Sequence, residues 1–312
     1  MILYVDVLDA CNLRCRTCVR GLRGLKNSAR QMPLDKFEHI VAKAVSDGFD
    51  SIQLFNWTEP FLLDNLHEYA SIVRRYGFPC ICSSNLSIKH IGNFREALAS
   101  IDALTVSVSG LDQEVYEVNH AGGSIELVKR NLSIIADLKR AGAIATCVQL
   151  KFIRFDYNRD QESRLRDYAM SLGLEFAVTE GSGHPVTGDP RQFTEEHVWA
   201  QLRCFDAGRF IEHRGEVCAQ VFDNVALDVA GDVFLCCARP NYGVFRVGPY
   251  LELSMSEILI TRHSHPMCPS CGFQRREATA LEKQALREAF DQSLVCTDPK
   301  MQRHIPSATG AS

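Results

Sequence analysis

Three cysteines crowd into one octapeptide, CNLRCRTC, as Cys11, Cys15 and Cys18. A disulfide uses two thiols, and a closed tetrahedral zinc site uses four ligands. Three thiolates suit an iron–sulfur cube held on three of its four irons, leaving one iron able to bind and reduce a ligand. Spacing alone leaves a second reading open, a zinc site completed by a distant fourth ligand. Further on, Cys218 and Cys236 are joined as C-x12-G-x4-C through Gly231, and Cys268 and Cys271 form C-x2-C. Cys80, Cys82 and Cys147 lie in apolar runs and read as small core residues.

A reactive loop needs a scaffold to hold it. YVDVL (4–8), just before the triad, is the first of six short apolar runs rich in β-branched residues. The others are SIQLF (51–55), FPCICSS (78–84), ALTVSVS (103–109), ATCVQLKFI (145–153) and EFAVTE (175–180). Amphipathic stretches of helical spacing lie between them at 34–48, 63–77, 93–100, 124–142 and 162–173. Three end on Gly77, Gly142 or Gly173, each suited to a left-handed C-cap. Strand–helix alternation with right-handed crossovers predicts an α/β fold around a parallel sheet. Six units do not close an eight-stranded barrel. The expectation is therefore a partial (β/α)6 barrel over 1–181, with its site at the C-terminal ends of the strands. Residues 182–215 read as a turn-rich loop and a bridging helix. The texture then changes over 216–296: VCAQVFDNVALDVAGDVFLCCARP reads as a hairpin turning at Gly231-Asp232, with MCPSCGF and a helix at 276–290 after it. The polar stretch 297–312 is expected to fray.

Composition narrows the function classes. Net charge is −4 with no run of Lys and Arg, which argues against a nucleic-acid footprint or a membrane-surface patch. No apolar stretch has the length of a membrane span, and ILYVDVLDA is too short and too acidic for a signal sequence. These features point to a cytoplasmic protein. In a reducing compartment, 13 cysteines point to metal ligands before disulfides.

The C-x3-C-x2-C loop after the first strand resembles that of the radical S-adenosylmethionine (SAM) superfamily, and the resemblance extends through 1–181. It implies a 4Fe–4S cluster on Cys11, Cys15 and Cys18 whose open iron chelates SAM, and cleavage of SAM to a hydrogen-abstracting 5′-deoxyadenosyl radical. FNWTEP (55–60) sits where the family carries a Gly-Gly-Glu-Pro-like turn. Glu59 and Pro60 are kept, Trp57 and Thr58 replace the glycines, and Asn56 supplies the preceding polar contact to SAM. Ser107, in VSVSG, matches a position that commonly binds SAM, with Ser109 in place of the usual Asp. NHAGG (119–123) is similar to a His-Arg-Gly segment in which Ala121 stands for Arg. That departure shifts the expected contact to the SAM carboxylate onto Lys151 or Arg154.

The C-x12-G-x4-C … C-x2-C pattern resembles the shortened SPASM, or twitch, domain. It implies a small C-terminal iron–sulfur domain in which Cys218, Cys236, Cys268 and Cys271 hold a second, auxiliary 4Fe–4S cluster; a zinc ribbon is the alternative. A hairpin would bring Cys218 and Cys236 together. Cys237, beside a ligand, and Cys204, in the bridging helix, are candidate hydrogen-atom donors. Ten residues before Cys11 leave no room for a peptide-recognition domain, which favours a small-molecule substrate. FNWTEP and SGLDQEVYEVNHAGG resemble members that modify sugars and aminocyclitols, the neomycin epimerase and scyllo-inosamine dehydrogenase groups. The resemblance implies hydrogen abstraction from a hydroxyl-bearing carbon, then epimerisation through a thiol or oxidation to a ketone with the auxiliary cluster as acceptor. A donor such as flavodoxin or ferredoxin would supply electrons. Peptide modification and a non-catalytic metal-binding sensor are the remaining readings.

Overall fold

The computed structural model describes residues 1–22, 27–28, 30–89, 93–181, 218–237, 245–265, 279–285 and 288. Cys204, Cys268, Cys271 and Cys296, the bridging segment and the C-terminal tail lie outside the described residues. Strands β1 (Ile2–Val5), β2 (Ser51–Gln53), β3 (Cys80–Ser84), β4 (Ala103–Val108), β5 (Cys147–Arg154) and β6 (Glu175–Glu180) pair in sequence order, each parallel to the next. This is the α/β partial barrel that the six apolar runs imply. β7 (Asn224–Leu227) then adds parallel to the free edge of β1, and β8 (Asp232–Phe234) and β9 (Arg246–Pro249) follow antiparallel. The C-terminal hairpin therefore continues the barrel sheet.

Helices α1 (Val19–Leu22), α2 (Leu34–Ser46), α3 (Leu66–Arg75), α4 (Phe94–Ser100), α5 (Gln113–Asn119), α6 (Ile125–Arg140) and α7 (Glu162–Ser171) fill the crossovers. α8 (Gln220–Asp223) precedes β7, and α9 (Met255–His263) follows β9. Apolar stripes at three- and four-residue spacing, such as Phe37, Ile40, Val41 and Ala44 of α2, are wholly buried in the core. The strands alternate to match. Leu104, Val106 and Val108 of β4 and Val148, Leu150 and Phe152 of β5 are buried in the same core. Thr105, Ser107, Gln149, Lys151 and Ile153 are half-buried on the opposite face. One face of the sheet is thus a dry core, and the other is a polar surface.

Gly77, Gly142 and Gly173 end their helices at φ of 82°, 66° and 68°, in the left-handed region expected of them. The hairpin also turns where expected. Asp228 Oδ1 accepts from the N–H groups of Ala230 and Asp232, both at 2.9 Å, and Gly231 has φ 77°. Cys80 and Cys82 are core residues, but Cys147 is exposed, because it opens β5 before the sheet is covered. α1, α5, α8, α9 and β9 were not expected: most are too short to show a period, and α9 is marked instead by the capping box of Ser254 and Glu257 at its start.

Asn131 of α6 is buried, and its Nδ2 donates to the carbonyls of Leu86 (2.8 Å) and Ile88 (3.0 Å). This pins the loop after β3 to the helix layer. Asn131→Ala takes the donor from the Leu86 carbonyl while Ile88 keeps Arg130 Nη2 at 3.1 Å, and urea unfolding should show a loss of about 2 kcal/mol.

Candidate active site at the mouth of the sheet

The cysteine loop leaves β1 at its C-terminal end and is held from several sides. Arg14 N–H donates to the Ala121 carbonyl (3.0 Å), and Arg16 N–H to that of Asn119 (2.9 Å). The Thr17 hydroxyl reaches Asn119 Oδ1 at 2.8 Å. Glu59 N–H donates to the Ala10 carbonyl (2.9 Å), while Asn27 exchanges bonds with the Cys11 main chain at 3.0 and 2.9 Å. Asn12 Nδ2 donates to the Ser87 carbonyl (2.7 Å). Gly21 of α1 lets the helix close on the loop, since a Cβ there would lie 2.3 Å from the Cys15 carbonyl oxygen. NHAGG is thus a strap across the cysteine loop, a role its main chain performs whatever stands at position 121.

None of the nine described cysteines is in a disulfide. Burial pushes the Cys11 thiol up to about 12, helped by the Glu59 carboxylate and by Cys18. Burial and the two neighbouring sulfurs hold Cys15 well above the thiol range, and burial raises Cys18. Three sulfurs that repel one another as thiolates are a donor set that calls for a cationic group. Main-chain N–H groups already point at two of them, Leu13 at Cys11, and Arg20 and Gly21 at Cys18. Among the described residues, no three Cys, His, Asp or Glu side chains converge on a single-ion site. A cube asks for something different, because each thiolate binds its own iron at a separate corner. The three residues fit such a cluster.

Two buried carboxylates shape the loop after β2. Asp6, at the end of β1, accepts from Asn56 N–H (2.8 Å), Trp57 N–H (3.1 Å) and the Thr58 hydroxyl (2.6 Å), and burial raises it to about 6. Glu59 accepts from the Ser84 hydroxyl (2.7 Å), Asn85 N–H (2.8 Å) and Phe61 N–H (3.2 Å). Its carboxylate is thus spent on internal donors, so Glu59 shapes the turn and its carboxylate does not reach into the site. Asn56 is likewise engaged. With its amide oriented to satisfy both ends, Nδ2 donates to the Cys237 carbonyl (3.1 Å) and Oδ1 accepts from Trp57 Nε1 (2.9 Å). The sequence contained the signal for Asp6, an acid inside the apolar run YVDVL, but not for its partners.

Strand parity separates the two cations. Ser107 and Lys151 are register partners on the half-buried polar face. Arg154 shares the parity of Leu150 and Phe152, on the helix side, and Nη1 pairs with Glu162 Oε2 of α7 at 2.8 Å. Register thus sets Lys151 beside Ser107 on the polar face and Arg154 on the opposite parity. Ser109, in place of the expected acid, is buried; its hydroxyl meets His120 Nδ1 at 2.6 Å, and the His120 ring stacks on Tyr116 at 4.7 Å. Burial holds His120 down near 4, which makes it a neutral brace for the strap.

Cys218 and Cys236 lie at the other end of the sheet. β7 pairs with β1 from Ile2↔Asn224 onwards; the β7–β8 ladder ends at Ala226↔Phe234, before Cys236, and the Arg262 guanidinium joins the Leu235 and Asn224 carbonyls. Cys218 is not Cys236's ladder partner, because α8 intervenes before β7. Cys237 follows, its thiol 3.7 Å from Gln220 Oε1 and its carbonyl held by Asn56.

Burial raises the Glu59 carboxyl from 4.5 to about 7. A folded-state value above the unfolded one favours folding most below about pH 4.5, and the contribution is lost as pH rises towards 7. On the metal-free chain, this group should lower the unfolding free energy by about 3 kcal/mol between pH 4.5 and 7.5. Glu59→Gln should flatten the measured profile by that amount.

Comparison with known proteins bears on residues and fold separately. The Radical SAM superfamily profile matches residues 5–150. Probable GTP 3′,8-cyclases of Methanococcus maripaludis strains S2 and C7 are each 25% identical over 179 residues, 56% of this chain and 57% of theirs. The match thus spans little more than half the length of these curated relatives. Streptococcus suis SuiB bound to S-adenosylmethionine superposes with a TM-score of 0.59 at 16% identity, covering 87% of this chain and 70% of that one. Native anSMEcpe with bound AdoMet gives 0.58 at 14%, covering 97% and 98%. The solved structures share the fold, and the sequence match carries the family. Over residues 5–150, a little under half of its length, this chain is similar to the radical SAM superfamily.

Proposed function

We propose that the chain is a radical SAM enzyme that removes a hydrogen atom from a hydroxyl-bearing carbon of a polyhydroxylated small molecule. The observation that supports it most is the cysteine loop: three mutually repelling thiols strapped at the C-terminal mouth of a sheet whose inner face is polar. A 4Fe–4S cluster bound there supplies the electron that cleaves SAM to methionine and the hydrogen-abstracting 5′-deoxyadenosyl radical. Cys11, Cys15 and Cys18 hold it, and the strap at 119–121 fixes their spacing. Lys151 offers the cation for the SAM carboxylate, Ser107 a hydroxyl beside it, and Asp6 and Glu59 set the turn at 56–60 that borders them. Gln53, Ser83, Thr105 and Gln149 line the half-buried face with hydrogen-bonding groups suited to substrate hydroxyls.

Cys218 and Cys236, with Cys268 and Cys271, form the second metal site, and a flavodoxin- or ferredoxin-like protein is the reductant. Cys237 returns a hydrogen atom to the carbon, which completes an epimerisation; an electron and a proton then restore its thiol. The hydrogen bond between Asn56 and the Cys237 carbonyl supports Cys237 as the donor; Cys204 is the other candidate. If Cys237 does not donate, loss of a proton and an electron leaves a ketone. The curated relatives favour a second reading in which the substrate is a guanosine nucleotide. SuiB, solved with a precursor peptide, keeps peptide modification as a third.

Anaerobic reconstitution should give about eight irons, falling to about four when Cys11, Cys15 and Cys18 are all changed to alanine. A variant that keeps no iron, or holds only zinc, rejects the second cluster. Turnover of sugars and aminocyclitols in deuterated solvent should place one deuterium on carbon, and Cys237→Ala should abolish that label while 5′-deoxyadenosine still forms. A two-mass-unit loss from the substrate marks oxidation instead. Lys151→Met should weaken SAM binding about tenfold by equilibrium dialysis, and Arg154→Met should leave it unchanged.

A further inference from the structure

Arg262 of α9 is wholly buried, at 0% exposure. Its Nε donates to the Leu235 carbonyl at 2.6 Å. Nη1 donates to the carbonyls of Val221 (3.0 Å) and Asn224 (2.6 Å), and Nη2 to that of Gln220 (2.9 Å). One planar group thus reaches two arms of chain. The first carries Cys218, whose own carbonyl accepts from Val221 N–H at 3.1 Å. The second carries Cys236 and Cys237 immediately after Leu235.

The ladder explains why a side chain is needed there. β7 and β8 pair only at Ala226↔Phe234 and Leu227↔Val233, so the hairpin is unzipped towards its cysteine-bearing end. α8 also ends at that point with carbonyls that have no partner inside so short a helix. Burying a guanidinium is costly, and only its fork of donors satisfies four carbonyls at once. We propose that Arg262 is the positioning residue of the second thiol site: it replaces the missing ladder bonds and sets the separation of Cys218 from Cys236 and Cys237. The inference rests on the reading of that segment as a metal site.

The test uses the full-length chain with Cys11, Cys15 and Cys18 changed to alanine, so that any iron reports the second site alone. With Arg262 intact, this parent should retain about four irons. Arg262→Met should hold less than about half of that, with an altered electron paramagnetic resonance signal after reduction, while the barrel melts at the parent's temperature. Arg262→Lys keeps the charge without the fork and should recover only part of the loss; it also carries the test where the Met variant does not fold. In the metal-free chain, iodoacetamide should modify Cys218, Cys236 and Cys237 at rates changed severalfold by either substitution. If both variants match the parent in iron, signal and thiol reactivity, the proposal is overturned. Full recovery by Arg262→Lys also overturns it, because charge alone would then suffice. A parent that binds no iron rejects the metal reading, and the thiol rates still decide whether Arg262 positions the arms.

Discussion

The candidate site depends on hydrogen bonds made by a loop that has no regular structure of its own. Between Asp6 and Cys18 the main chain has few ladder or helical partners, so its polar groups bond to neighbouring loops. Ala10 takes Glu59 N–H after β2, Asn12 reaches Ser87 after β3, and Arg14 and Arg16 reach the segment that follows β4 and α5. Those partners come together only because successive parallel strands bring their C-terminal ends to one level. The thiols are therefore placed by tertiary structure, and a loop tied at this many points does not need to reorganise to receive a charged group.

Charge at this mouth is arranged around what the thiols would bind. Glu59 stands near enough to Cys11 to oppose its ionisation, and burial already holds the carboxyl near 7. In the metal-free chain, neutral thiols and a partly protonated acid are the low-energy combination. A cationic group on the three sulfurs reverses the balance, because the same carboxylate then lies close to positive charge. Asp6 is fixed differently, by donors from Asn56, Trp57 and Thr58, so that its cost of burial is offset by the turn it holds.

Spacing and periodicity made the scaffold legible. The six strands and five main helices follow from where apolar residues recur, and the triad was plain from three cysteines in eight positions. What sequence left undecided was direction. Lys151 and Arg154 are three apart on one strand, so they face opposite sides, but the choice between them needed the register that pairs Ser107 with Lys151. The partners of Asn56 and Glu59, such as Cys237 and Ser84, come from loops distant in the chain and could not be read from the residues around them. Arg262 gave no signal at all, because an arginine among apolar residues on a short helix looks like a solvated position.

The sheet order also fixes how the two sets of thiols relate. β7 lies parallel to β1, so Cys11 leaves the sheet at the C-terminal end, whereas Cys218 precedes α8 and Asn224, which pairs with Ile2 at the other end. The arm after β8 links the two regions: its Leu235 carbonyl accepts from Arg262, and its Cys237 carbonyl accepts from Asn56 in the loop after β2, so the cysteine-bearing end of the hairpin is tied to the barrel by side chains where the ladder has stopped.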